Sequence, residues 1–223
     1  MAYENPSGVQ APYFFLSYTR SGARDPFGQL VADNDQHVVK FYQDLCQHIG
    51  HLTDLDLDVS PGYLDRGMTA GTNWSPALKN ALATCQTFVA LYEPRYFRNP
   101  YCGYEWACFE ARQALARPPG SLAYNAIIPV LMVEQRRLPR PLPPSAMDLQ
   151  FTDPTLPITY QNEGIWGLIH GGFTRDYRRA TLAIARRIVD VANSTRIAPC
   201  STDIFKDDAN AFRPAPRLGG GAA

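Results

Sequence analysis

The chain has 223 residues with 45% hydrophobic and 12% aromatic content, enough for one well-buried core and not comfortably for two. Lys plus Arg and Asp plus Glu stand at 21 each, so the overall basic excess that marks nucleic-acid or anionic-membrane binding is absent. The five scattered cysteines include no Cys-x-x-Cys pair and point to a reducing, cytoplasmic compartment; the polar start and a longest apolar run of eight residues (126–133) predict neither a signal peptide nor a membrane span.

Tyr13-Phe-Phe-Leu-Ser-Tyr18, after Pro12, predicts a buried first strand, followed by a polar loop over 21–34. Asn34-Asp35 are cap candidates for a first helix with Val38, Tyr42, Leu45 and Ile49 inward and Gly50 at its C-terminal end. Gly62–Arg66 predicts a second strand, and a Gly-bearing loop over 67–73 leads into a helix capped by Ser75, with Pro76 in its first turn and Leu78, Leu82 and Cys85 inward. Thr87–Tyr92 is the third strand.

Asn99-Pro100 starts a third helix that should run to Ala116, before Pro118-Pro119. Ala126–Val133 is apolar throughout, as expected of a parallel strand buried on both faces, although Pro129 fits it imperfectly. Residues 134–160 are Pro-rich and irregular, with a short edge strand expected near Leu149–Thr152 and a helical turn near Gly164–Gly172. A last helix over Arg175–Ala192 carries Tyr177, Ile184, Ile188 and Val191 on one stripe. Residues 1–11 and 194–223 are expected to be disordered, leaving one domain over 12–193.

Strands alternating with helices predict an α/β, flavodoxin-like, doubly wound parallel sheet of order 2-1-3-4-5, with helices on both faces. Ligands in such sheets bind at the carboxyl ends of strands, near the point where the order reverses. Ser17–Arg20, Asp65–Gly67 and the segment after Tyr92 converge on that edge.

Glu105 is the residue that helix chemistry leaves unexplained. With Asn99 as cap it falls in the second turn, past the positions where a carboxylate serves the helix dipole or a capping box. Its neighbours at i−4, i−3, i+3 and i+4 are Tyr101, Cys102, Cys108 and Phe109, so no Lys or Arg on its own helix can pair with it. Such a carboxylate is either partly desolvated, with a raised pKa, or held from another segment by a group such as Arg20 or Arg66; both arrangements are commoner at functional sites. On spacing alone, a structural ion pair or a side chain reaching solvent is the more ordinary explanation.

Taken together, Phe15-Leu-Ser-Tyr18, Leu64-Asp-Arg66 with its loop to Gly71, Trp74, Phe88-Val-Ala-Leu-Tyr92 and Tyr96-Phe-Arg-Asn-Pro-Tyr-Cys-Gly-Tyr-Glu-Trp106 resemble the TIR domain family in order and spacing. The most specific piece is Tyr96–Trp106, similar to that family's Tyr-x-x-Ser-x-Trp-Cys-x-x-Glu-Leu signature, which places Glu105 on the signature glutamate. More narrowly, the chain is similar to actinobacterial TIR-like proteins of the FxsC type. The resemblance implies hydrolysis or cyclisation of NAD+ as substrate, with no cofactor and no metal, in bacterial defence or signalling.

In that reading Glu105 is catalytic. Ser17, Tyr18, Arg20, Phe27, Asp65, Arg66, Gly67, Tyr101 and Cys102 are candidates for substrate binding, and Met68, Gly71 and Trp74 belong to a loop that completes the site on self-association. Tyr18 and Phe27 would stack on a ring; Arg20 and Arg66 would hold phosphates. Core packing is the plain alternative for Tyr18, and a surface or ion-pair role for the two Arg.

Asn99, Tyr101 and Trp106 replace the signature Ser, Trp and Leu, which keeps a helix cap and an aromatic face but leaves catalytic competence open. The alternative is a non-enzymatic TIR-like module that recruits a protein partner. No dinucleotide-fold Gly motif, P-loop or hydrolase elbow is present. His48 and His51 lack the further ligands of a metal site, and Cys102 near a helix start is either reactive or, more commonly, a packing thiol.

Overall fold

A computed structural model describes residues 11–20, 35–56, 58–65, 74–116 and 125–213. In chain order these form β1 (Phe14–Ser17), α1 (Gln36–Leu52), β2 (Gly62–Leu64), α2 (Pro76–Thr84), β3 (Thr87–Tyr92), α3 (Pro100–Ala116), β4 (Ile127–Leu131), the short α4 (Pro144–Met147), α5 (Ile158–His170) and α6 (Thr174–Thr195). All strands pair in parallel in one four-stranded sheet of order β2-β1-β3-β4. Every residue of β1, β3 and β4 is buried, which is why these segments read as unbroken apolar runs.

Ring contacts assign the faces. Phe14 meets Tyr42 of α1, while its neighbour Phe15 stacks on Phe88, which packs against Trp106 and Phe109 of α3. Successive strand residues point to opposite faces, so α1 and α3 cover opposite sides of the sheet. α1, α5 and α6 pack together, and α2 packs with α3.

Local signals explain the helix starts. Ser75 Oγ accepts from Leu78 N at 3.1 Å with Pro76 at the first turn, and Asn99 Oδ1 accepts from Tyr101 N at 2.9 Å ahead of α3. Asp35 stands at the N-cap of α1 without a side-chain cap bond. Gly50 does not end that helix, which continues to Leu52 with the Thr53 hydroxyl donating to Ile49 O at 2.8 Å.

The expected fifth strand near Leu149–Thr152 is not formed among the described residues, and the sheet order is therefore 2-1-3-4. The free edge of β4 supplies the reason. Pro129 has no N–H to offer a further strand; Leu131 N instead donates to the Tyr160 hydroxyl at 2.7 Å, and Met132 O accepts from Trp166 N at 2.9 Å. α5 thus closes the edge that a strand was expected to take. That helix is longer than the expected turn and is broken at Gly164 (φ 63, ψ 176), where a Cβ would lie 2.7 Å from the Met132 and Val133 backbone.

The C-terminal segment is also corrected. Residues 194–213, expected to be disordered, are described and packed: Ile197 and Phe205 are buried, and Phe212 contacts Tyr96, Phe97 and Trp106. Aromatic residues at 205 and 212 and the buried Arg112 are what hold this otherwise Pro/Ala-containing stretch. Among the described residues no helix is long and apolar enough to cross a membrane.

Candidate functional site

β1 ends at Ser17, and α3 begins just beyond β3, its neighbour in the sheet, so the carboxyl edge brings Ser17 under the second turn of α3. Ser17 Oγ donates to Glu105 Oε2 at 2.5 Å, and the Tyr96 hydroxyl donates to Ser17 Oγ at 2.9 Å. Tyr96 and Ser17 are buried and Glu105 is 8% exposed. The three form a hydrogen-bonded relay that terminates on one carboxylate oxygen. Burial pushes the Tyr96 phenol well above its usual range, so it serves the relay as a neutral donor.

Burial likewise pushes the Glu105 carboxyl up to about 8; the Ser17 hydrogen bond opposes this, the nearby Asp65 charge adds to it, and Arg20 opposes it. Of the two arrangements expected from sequence, desolvation is the one seen among the described residues. Glu105 makes no ion pair among the described residues, because Arg20 is committed elsewhere: its Nη2 lies 3.0 Å from Asp65 Oδ2 and donates to Asp65 O at 2.6 Å. Arg20 and Asp65 therefore join the carboxyl ends of β1 and β2 across the same edge.

Tyr18 is half-buried, and its carbonyl accepts from the Cys102 thiol at 3.4 Å. Cys102 also lies 3.7 Å from Thr19 Oγ1, and burial raises its thiol well above the usual range, which disfavours the thiolate and agrees with a packing role. Trp74 stacks on Tyr104 with ring centroids 3.7 Å apart and meets Tyr101 edge-on at 4.9 Å. Tyr101 and Trp74 thus form an aromatic patch on α3, one turn before Glu105. Phe27, Arg66, Gly67, Met68 and Gly71 lie outside the described residues.

Tyr18 and Thr19 also border a cleft of about 390 Å³ at the ends of β1, β3 and β4, with His37, Glu93, Met132 and Trp166 among its walls; Glu105 does not line it.

Two residues that matter here carry no role assigned from sequence, although Tyr96 opens the signature segment. Tyr96 closes the relay from a 3-10 turn over Tyr96–Arg98, and nothing in its local spacing signals a hydrogen bond to Ser17. Arg112 is fully buried and donates to the carbonyls of Leu82, Thr84, Cys85, Ile197 and Ala198. Its position was readable, since Glu105, Cys108, Phe109 and Arg112 recur at i, i+3, i+4 and i+7 on one inward stripe.

The TIR domain family model matches residues 14–163, from the first residue of β1 into α5. The chain belongs to the TIR domain family. The match does not separate the FxsC-type group from the rest of the family; among curated proteins nothing matches. In this TIR domain the signature segment Tyr96–Trp106 is the turn and helix that supply two of the three relay members, Tyr96 and Glu105, and β1 supplies the third. The Asn99 and Tyr101 departures do not disturb that geometry, because Asn99 caps α3 and Tyr101 keeps an aromatic face against Trp74.

Proposed function

We propose that this TIR domain cleaves the nicotinamide–ribose bond of NAD+, with Glu105 as the essential carboxylate, in a bacterial defence or signalling role. The observation that carries this reading is the buried Glu105 carboxyl at the sheet's carboxyl edge, supplied with a proton donor by Ser17 and without a cationic partner among the described residues. Nicotinamide in NAD+ is a cationic leaving group and departs neutral, so the reaction needs no general acid of the glycosidase kind. As the bond from ribose C1′ to the ring nitrogen breaks, its electron pair returns to nicotinamide and positive charge develops on the ribose. An anionic Glu105 in a desolvated setting stabilises that charge strongly and holds the ribose hydroxyls.

Attack by water, with loss of its proton, gives ADP-ribose; internal attack by the adenine ring gives the cyclic product. Tyr18 would stack on a ring, and Tyr101 and Cys102 stand on α3 one turn before Glu105. Arg20, held by Asp65, keeps a guanidinium at the edge where phosphates would pass. Phe27, Arg66 and Gly67, with the loop residues Met68 and Gly71 acting between self-associated copies, complete the proposed site.

A second reading, a non-catalytic interaction module, draws on one observation: a carboxyl with a pKa near 8 is largely neutral at pH 7 and serves as a structural hydrogen-bonding group. The two part company on substrate. Concentrated protein with a crowding agent and NAD+ releases nicotinamide if the first reading holds, and Glu105→Ala abolishes the release. A folded, self-associated wild type that releases none establishes the second.

A further inference from the structure

We infer that the C-terminal strap, residues 196–213, is a positioning element for Glu105, acting through Asn210 and Phe212 on α3 and on Tyr96. The strap lies beyond the family match, which ends at residue 163, and it is secured at both ends. At its root, Arg112 Nε and Nη2 donate to Ala198 O and Ile197 O at 3.0 Å each, and Cys200 N donates to Ala83 O at 3.1 Å. Midway, Lys79 Nζ pairs with Asp207 at 2.8 Å.

At its far end the strap grips α3 on both sides of Glu105 in sequence. Ala211 N donates to Gly103 O at 3.0 Å, and the Asn210 side chain fills the space over Gly103: a Cβ there would lie 2.2 Å from Asn210 Oδ1. The absence of a side chain at Gly103, which weakens a helix interior, is what allows this approach. One residue past Glu105, the Trp106 ring lies 5.4 Å from Phe212, and the same Phe212 ring lies 5.6 Å from Tyr96, the outer member of the relay. Phe212 therefore backs both the helix that carries the carboxyl and the phenol that orients Ser17. Releasing it admits water to the relay from behind and loosens the carboxylate without removing any group that would touch substrate.

The inference rests on Glu105 being the working carboxylate, and its test is arranged so that the two can fail separately. In the full chain, Phe212→Ala, Phe212→Leu and Gly103→Ala are compared with wild type by carbon-13 NMR titration of the Glu105 carboxyl and by kcat and KM for nicotinamide release from NAD+. Phe212→Ala is expected to lower the Glu105 midpoint by about one unit as water reaches it. Compared at about pH 9.5, above the Glu105 midpoint of both proteins so that the carboxylate is equally ionised, it should also lower kcat roughly tenfold with little change in KM, the pattern of lost transition-state stabilisation.

Phe212→Leu, which refills most of the volume, should recover most of both. Gly103→Ala should act in the same direction even though alanine favours the helix, so its effect cannot come from a weaker α3. A Glu105 midpoint unchanged in whichever of Phe212→Ala and Gly103→Ala folds overturns the inference. Absence of nicotinamide release from wild type would instead remove the NAD+ reading, and the titration would still decide the strap.

Discussion

Ser17 and Glu105, 88 positions apart in sequence, share a 2.5 Å hydrogen bond in which the serine donates. A hydrogen bond to the charged form of a buried carboxyl stabilises that form, so Ser17 holds the Glu105 pKa below where burial alone would put it. Hydrogen bonds to charged groups contribute about 1.5–3 kcal/mol, equivalent to roughly one to two pK units. Ser17→Ala is therefore expected to raise the Glu105 midpoint by about that much, and Tyr96→Phe to raise it less. Carboxyl titration by NMR checks both; an unmoved midpoint in Ser17→Ala would show that the bond does not govern the ionisation.

The same ionisation sets a pH dependence. If anionic Glu105 is the working form, kcat/KM for nicotinamide release follows the free protein's carboxyl. It should rise about tenfold per pH unit on the acid side and level off above the midpoint near 8. Ser17→Ala should displace that break to higher pH. A profile flat from pH 6 to 9 would mean that the ionisation of Glu105 is not limiting.

The parts of this fold that were legible in the sequence are those written locally. Ser75-Pro76 and Asn99-Pro100 mark helix starts through side-chain caps and proline geometry, and Thr87–Tyr92 reads as a buried strand because both of its faces are covered. Glu105 stood out because no Lys or Arg lies three or four positions from it on its helix. What stayed hidden depends on groups that meet only in three dimensions: the Tyr96–Ser17 bond, the Tyr160 hydroxyl that takes the place of a fifth strand, and the Arg112 carbonyl cluster that orders a segment whose composition suggests disorder. A short-window pattern carries no information about which distant carbonyl a buried guanidinium will find.

Arg112 should be among the costliest side chains to remove. It is fully buried and satisfies five carbonyls from α2, its C-terminal end and the strap, so Arg112→Leu leaves acceptors unpaired on both sides of the joint. A loss of about 3–5 kcal/mol is expected, measured by urea denaturation, with residues 197–213 exchanging amide hydrogens faster than the sheet. A loss under about 1 kcal/mol would mean that water replaces the guanidinium without penalty.

Gly164 offers a test of the edge closure. Its φ of 63 is unfavourable for side-chain-bearing residues, and a Cβ would meet the Met132 and Val133 backbone at 2.7 Å, where neither side can yield cheaply. Gly164→Ala should cost about 2 kcal/mol or more and should weaken protection of the Trp166 amide, which bonds Met132 O. A thermal midpoint within about 1 °C of wild type would mean that α5 rebuilds its kink without strain.

Stability also carries the signature of Glu105. Its folded pKa of about 8 lies above the unfolded value near 4.5, so the folded state retains a proton that the unfolded chain releases between those two values. The contribution of the buried carboxyl to stability is therefore most favourable below about pH 4.5, declines as pH rises towards 8, and levels off above it. Glu105→Gln, neutral at every pH, escapes this decline while keeping an acceptor for Ser17. The variant should match wild type near pH 4.5 and exceed it increasingly up to pH 8, by an amount on the order of a few kcal/mol. Denaturation series of both proteins at pH 4.5, 6.5 and 8.5 read this out directly; parallel curves would mean that Glu105 ionises in the folded state as freely as in the unfolded chain.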